Sequence, residues 1–354
     1  MPSGAAQNGS DRAGFENKRD EDVSVVEVSD REAGSGQPVQ APVSRISRVL
    51  NLLRWVLLVV VIAFAVYQIS SEWDKFTSAI KEIHPFSLTL SLVLVILGQI
   101  AGTFSWQTLV DDMGPKVGVA RGSQVFLVGQ LGKYVPGSIW AYVLQMELGK
   151  KYGIARARVF AASLISTGIA VVAAMLLGTL ALPVLFKGHR ELLWLYLLLP
   201  IGLICLHPAV ISRIAQFVFK VLRKEPLDHD LRKRIVGRSL GWSLISYTCF
   251  GAHLWLLLNS VSNPGATGLL MCIGVLAVAM TAGLFAFILP SGVGVREAVI
   301  VAGLTTVIDD PQALALAVVS RVLFVITDLL VAGGATGTAL MSRRHHPAKA
   351  PATS

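Results

Sequence analysis

The chain has 354 residues, 53% of them hydrophobic and only 15% charged, with a net charge of +9 and a mean hydropathy of +0.63. Soluble domains carry about 25% charged residues, so an ordinary soluble fold is excluded. Apolar runs of about 18 residues or more recur without alternating, which predicts an all-α polytopic membrane protein and not a membrane barrel. The positive residues gather between apolar runs, as the positive-inside rule asks, and do not form a nucleic-acid-binding pattern.

In chain order, residues 1–44 are rich in Gly, Ser, Asp, Glu and Pro. They bury too little apolar surface to fold and are expected to be a disordered cytoplasmic tail, with no cleavable signal peptide. A transmembrane domain is expected over 45–342, and a short cytoplasmic tail over 343–354. Arg45, Arg48 and Arg54 flank the first span, 52–69, and put the N-terminus inside. The second span, 86–110, returns inward and carries Gln99 and Gln107, which need partners within the bundle. Segments 122–135 and 138–149 are each too short to cross, since a crossing helix needs about 20 residues. Lys150, Lys151, Arg156 and Arg158 follow and read as cytoplasmic.

Spans are then expected at 159–186 and 192–208. Residues 211–238 hold the densest Lys/Arg cluster of the chain. Apolar residues there recur at helical spacing, which fits a helix on the inner membrane surface; a solvated basic loop fits equally. Further spans are expected at 240–258 and 313–340, with 269–289 and the short 295–308 between them. Arg343 and Arg344 place the C-terminus in the cytoplasm. Cys205, Cys249 and Cys272 all lie in apolar runs without a CxxC pair, so they read as small buried hydrophobes.

Two stretches break this pattern. GQLGKYVPGSIW (residues 129–140) sets glycines, Lys133, Pro136 and Gly137 inside apolar sequence, and LPSGVGVRE (residues 289–297) repeats the theme with Pro290, Gly292, Gly294, Arg296 and Glu297. Proline removes an N–H and stops a helix. In lipid a broken backbone survives only where it is buried in protein or lines a cavity. The economical reading is a hairpin that enters from the cytoplasm and turns at Pro136-Gly137.

With Pro136 set on Pro290, Gly129 falls on Gly283. Each half then reads span, span, proline-broken hairpin, span, in opposite orientation. About six full spans and two re-entrant hairpins would form an inverted repeat, a transporter architecture whose substrate site lies where the broken helices meet. The soft point is 269–289, which is long enough to cross fully.

A half-helix starting after each proline would aim a positive dipole end into the membrane. Lys133 lies beside the first start and Arg296 beside the second, a combination suited to a lipid phosphate. In the bland reading, the prolines only kink packed helices and the charges sit at the interface; intramembrane charges are functional by default. For Arg321 two readings stand: it faces the same cavity, or it takes Glu297 or another acid as a structural partner. Asp328 shares its helix face. Gln130, Gln145 and Glu147 are polar candidates for the cavity, whereas His207 and His253 read as packing histidines. No metal cluster, Walker A, HExxH or GxSxG signature occurs, so neither a cofactor nor an enzymatic activity is expected.

At GKYVPGSIW (132–140) and LPSGVGVRE (289–297) the sequence resembles the membrane region of the lysylphosphatidylglycerol synthase family of flippase-like proteins. The likeness covers about residues 50–340. The family's second signature usually reads Pro-Gly-Gly-x-Gly-x-x-Glu, and here Ser291 replaces the first glycine. In the family's aminoacyl-lipid synthases this region precedes a soluble transferase domain, for which the sequence after residue 340 has no room. The resemblance therefore implies translocation without synthesis, of an anionic phospholipid or a polyprenyl-phosphate-linked lipid, in the cytoplasmic membrane. Lys133, Pro136, Gly137, Gly292, Gly294, Arg296, Glu297 and Arg321 are the expected substrate-binding residues. The competing expectation is a non-transporting partner or scaffold of a separately encoded glycosyltransferase or lipid synthase.

Overall fold

The computed structural model describes residues 83–135, 139–181, 232–286 and 289–345, with isolated positions between 200 and 220. The spans expected at 52–69 and 192–208, the basic segment up to Leu231, and Pro136 and Gly137 lie outside the described residues. Every regular element described is helical. The helices are α1 (Pro85–Asp112), α2 (Val119–Ser123), α3 (Trp140–Lys151), α4 (Arg156–Gly178), α5 (Lys233–Val261), α6 (Gly265–Phe285), α7 (Val295–Leu304) and α8 (Asp310–His345). Five of them, α1, α4, α5, α6 and α8, are long and apolar enough to cross a membrane.

Local chemistry sets several helix ends. Pro85 stands in the first turn of α1, and His84 caps it by accepting from the Phe86 N–H, where a missing N–H costs nothing. Asp310 and Pro311 open α8, so this helix begins three residues before the span expected at 313–340. Helix α5 begins at Lys233, which makes the end of the expected basic loop helical. Arg158, read from sequence as cytoplasmic, is buried in the first turn of α4. Its guanidinium donates to the Val110 and Pro115 carbonyls at 2.5–2.9 Å, which satisfies backbone acceptors left free at the end of α1.

Helices α1 and α5 run antiparallel along a seam of small residues. Gly98, Gly102 and Ser105 on α1 repeat at i, i+4, i+7, as do Ser239, Ser243 and Ser246 on α5. An added Cβ on Gly98 would sit 2.4 Å from the Phe250 ring. Ser246 donates to the Gly98 carbonyl at 2.7 Å, and Ser105 bonds Ser239 and Ser243 at 2.8 and 2.9 Å. Small residues let membrane helices approach closely, and hydroxyls add bonds across the gap.

The long helices run between two apolar clusters. Val95 of α1, Met175 of α4, Leu254 of α5 and Leu316 of α8 belong to one, together with buried residues of α6 and α7. Trp106, Ile165, Val236 and Ala335, from the same four helices, belong to the other, together with Val125, Phe126 and residues of α3. Leu131, Tyr134 and Val135 of the first motif form a smaller cluster with Val325 and Ala332, midway along α8.

Neither motif is a simple broken helix. The segment expected as one helix over 122–135 is α2, a π-helical turn (Gln124–Val128) and a 3-10 turn (Leu131–Tyr134). After Pro290 the chain makes a 3-10 turn, Pro290–Gly292, and α7 starts only at Val295, with Gly294 as its N-cap. The two 3-10 turns pack against each other, so the two motifs meet inside the bundle. Gly129 and Gly283, paired by the sequence alignment, each face the arm on the far side of their own break. A Cβ on Gly129 would lie 2.2 Å from Gln145 Cγ of α3, and Gly283 lies against Gly292.

Ser291 has φ +52°, and Gly292 follows at +67°. The left-handed conformation costs an L-residue about 1–2 kcal/mol, which explains the glycine usual at the position of Ser291. Ser291→Gly is expected to raise stability by up to about 1 kcal/mol. Gly292→Ala is expected to lower it by about 2 kcal/mol or more, because its Cβ would also meet Gly283 Cα at 2.6 Å. Thermal unfolding of the purified protein in detergent measures both.

Candidate functional site

Between the two motifs lies a cavity of about 310 Å³ whose lining includes Lys133 from the first motif and Ser291, Gly292 and Arg296 from the second. Helices α1, α3, α4, α5, α6 and α8, with Phe126 and Gln130 ahead of the 3-10 turn of the first motif, supply the rest, chiefly hydroxyls, glutamines and aromatic rings. A site of this size, at the low end of the roughly 300–1,000 Å³ usual for ligands, has room for one head group.

Its charges are arranged unequally. Lys133 is 27% exposed, and its Nζ lies 2.6 Å from Oδ2 of Asp328, which is 3% exposed. Asp328 also accepts from the Tyr134 hydroxyl at 2.5 Å and from the Gln99 amide at 2.7 Å. One carboxylate of α8 thus ties together α1, the first motif and the last span. Arg321 is ion-paired to Glu297, the structural partner that was one of its two expected readings. Glu297 also accepts from the Gly294 N–H at 2.7 Å. The N–H of the N-cap residue of α7 is therefore satisfied inside the protein, and a carboxylate offsets the positive helix end on which the sequence expectation relied.

Arg296 differs. It is 7% exposed, and its Nε and Nη2 have no hydrogen-bond partner. Its guanidinium lies 4.0 Å from the centre of the Phe324 ring, and Phe324 is held edge-on by Phe250 at 4.9 Å. A cation over an aromatic face gains about 0.5–2 kcal/mol, while a buried N–H without an acceptor costs about 1–3 kcal/mol and more when charged. The ring fixes the plane of the guanidinium without satisfying its donors. With Lys133 balanced by Asp328 and Arg321 by Glu297, the described groups leave one positive charge here, that of Arg296. Such a group attracts an anion with two acceptor oxygens.

Of the eight expected site residues, Lys133, Gly292 and Arg296 line the cavity. Gly294, Glu297 and Arg321 are not among its lining; they form the adjoining support of α7. Pro136 and Gly137 lie outside the described residues. Gln130 and Gln145 line the cavity, but Glu147 does not: its side chain is exposed and pairs with Arg156 at 2.5 Å. His253 is fully buried between Ser91 and Ser320, as a packing histidine. Gln99 holds Asp328, and Gln107 donates to Asp111 at 2.9 Å.

Sequence reasoning missed Tyr134 and the hydroxyl lining. Ser163, Ser166 and Thr167 on α4, and Ser243 and Ser246 on α5, face the cavity. Their i, i+3, i+4 spacing along apolar helices was the available signal.

The model of the lysylphosphatidylglycerol synthase TM region matches residues 51–332. The fold thus defines an integral helical membrane protein with a polar interior site. The chain belongs to the lysylphosphatidylglycerol synthase TM-region family. No curated protein matches it.

Proposed function

We propose that the protein is a lipid translocase that carries an anionic lipid head group across the cytoplasmic membrane, with both termini on the cytoplasmic side. One observation carries this reading: a buried arginine with unanswered donors opens onto a polar cavity inside a bundle of membrane helices. Head groups pay heavily for desolvation in the bilayer core, and this cavity offers them a polar station. Helix α3 has 12 residues and α7 has 10, each short of the roughly 20 needed to cross. We read them as the returning arms of two hairpins that enter from opposite faces, as in inverted-repeat transporters. The division of the apolar core into two end clusters supports that reading. Helix α6, with 21 residues, is long enough to cross, so its hairpin is the longer of the two. On this reading the protein moves lipid without making or breaking a covalent bond.

The test is the full chain in liposomes carrying fluorescent phospholipids or polyprenyl phosphates, with leaflet accessibility followed over time. Acceleration of an anionic lipid over protein-free vesicles is expected. If no lipid moves faster, the translocase reading fails, and a scaffold for a separately encoded synthase or glycosyltransferase replaces it.

A further inference from the structure

We infer that Asp328 is a proton-binding site linked to the cavity, so that an anionic head group and a proton are taken up together. The inference rests on the reading of the cavity as a lipid head-group site and names the ion that accompanies its occupant.

Its first ground is how the two oxygens of Asp328 are used. Oδ2 accepts from the Lys133 ammonium at 2.6 Å and from the Tyr134 hydroxyl at 2.5 Å. Oδ1 accepts from the Gln99 amide at 2.7 Å. A proton on Oδ2 would face two donors, whereas a proton on Oδ1 faces one. That one donor is an amide, which presents either its NH2 or its oxygen to the same point when it turns over. Gln99, turned over, accepts the acid proton. Its side chain lines the cavity, while Asp328 is buried behind it and is not among the lining residues. Gln99 is therefore the link between the cavity and the carboxylate.

The second ground is the exchange of partners open to Lys133. An ammonium beside a carboxylate favours the charged form of both. Lys133 is partly exposed and lines the cavity, so an anion there offers it a second counter-charge. Once Lys133 turns to that anion, Asp328 is the buried charge left without its partner, and a carboxylate so placed takes up a proton. In the other direction, a proton on Asp328 frees Lys133 and sets a second cation beside Arg296. Each ligand thus strengthens the binding of the other, as linkage requires.

The other charged and titratable groups facing this region are otherwise held. Glu297 is paired with Arg321, His253 of α5 is enclosed by Ser91 and Ser320, and Tyr247 of α5 stands edge-on to Phe250. Arg296 is close enough to act electrostatically on Asp328, so an anion on Arg296 also weakens the field that keeps this carboxylate ionised. Lys133 and Tyr134 are besides the polar ties between the first motif and α8, whose apolar ties join Leu131, Tyr134 and Val135 to Val325 and Ala332. A proton on Asp328 therefore loosens the motif from the last span while the anion is bound.

The experiment is calorimetric titration of the purified full chain in detergent with short-chain phosphatidylglycerol, whose phosphodiester does not itself titrate near neutral pH. Runs in buffers of different ionisation heat, over a pH series, count the protons exchanged on binding. Uptake of up to about one proton per lipid is expected, with affinity rising as the pH falls, by up to about tenfold per pH unit. Asp328→Asn, which fixes a neutral side chain, should abolish both the uptake and the pH dependence. Gln99→Leu leaves Asp328 paired with Lys133 and Tyr134 and should lower the uptake by half or more. Absence of uptake by the parent at every pH overturns the inference, as does parent-like uptake in Asp328→Asn. Should that variant not fold, Gln99→Leu decides in its place, and parent-like uptake there overturns the inference. In phosphatidylcholine vesicles carrying a fluorescent phosphatidylglycerol, the lipid should leave the more acidic side at least about twofold faster than without a pH gradient. Proton uptake on binding without lipid movement would remove the translocase reading and leave the proton site standing. Movement indifferent to the gradient, with no uptake on binding, would do the reverse.

Discussion

Asp328→Ala is expected to be the most destabilising single substitution at the site, at about 3 kcal/mol, with the unfolding midpoint in detergent falling by roughly 5–10 °C. The side chain accepts three bonds from two distant parts of the chain: Gln99 on α1, and Lys133 and Tyr134 in the first motif. Its loss leaves Lys133 without its counter-charge and the Tyr134 hydroxyl and the Gln99 amide without their acceptor. Breaking a buried pair from one side costs about 3–5 kcal/mol. The partial exposure of Lys133 puts this case at the lower end, because water screens the orphaned ammonium. The double variant Asp328→Leu with Lys133→Met should recover part of the loss, since removing both charges together avoids the uncompensated one. An unchanged midpoint in Asp328→Ala would show that this carboxylate does not hold the first motif to the last span.

Arg296→Gln is expected to do the opposite: keep the fold and abolish the activity. Glutamine retains much of the volume and removes a buried charge with no counter-ion among the described residues. The loss of contact with Phe324, worth about 0.5–2 kcal/mol, is offset by relief of that charge. Binding of an anionic lipid should weaken by about 2 kcal/mol or more, roughly thirtyfold, the scale of a charged hydrogen bond. Arg321→Gln is the control. It strands Glu297, so its first effect should be on stability and not on lipid affinity. The pair of variants separates the two arginines by calorimetry and lipid titration. Parent-like lipid affinity in Arg296→Gln would remove the phosphate role assigned to this residue.

Much of this was legible in the sequence. The apolar runs located α1, α4, α5, α6 and α8 because a membrane helix needs about 20 apolar residues and few other structures use them. Pro136, Pro290 and the surrounding glycines located the two irregular motifs, since proline and glycine act on the local backbone whatever surrounds them. Lys133 and Arg296 stood out as charges in apolar sequence, which is also a local signal.

What the sequence left open was pairing. Tyr134 and Asp328 are separated by 194 positions, and nothing in the periodicity of either segment says that their faces meet. Helical spacing reports the faces of one helix; which face meets which is set by the register and crossing of helices far apart in the chain. The tertiary structure therefore decided that Asp328 neutralises Lys133 and that Glu297 takes both Arg321 and the start of α7. It also turned the serines of α4 and α5 toward one cavity and left Arg296 with unanswered donors. By itself the sequence determined that positive charge lies near the breaks. Only the packing of distant helices determined which of those charges is left over, because a charge is cancelled by what lies within a few ångströms of it in space and not along the chain.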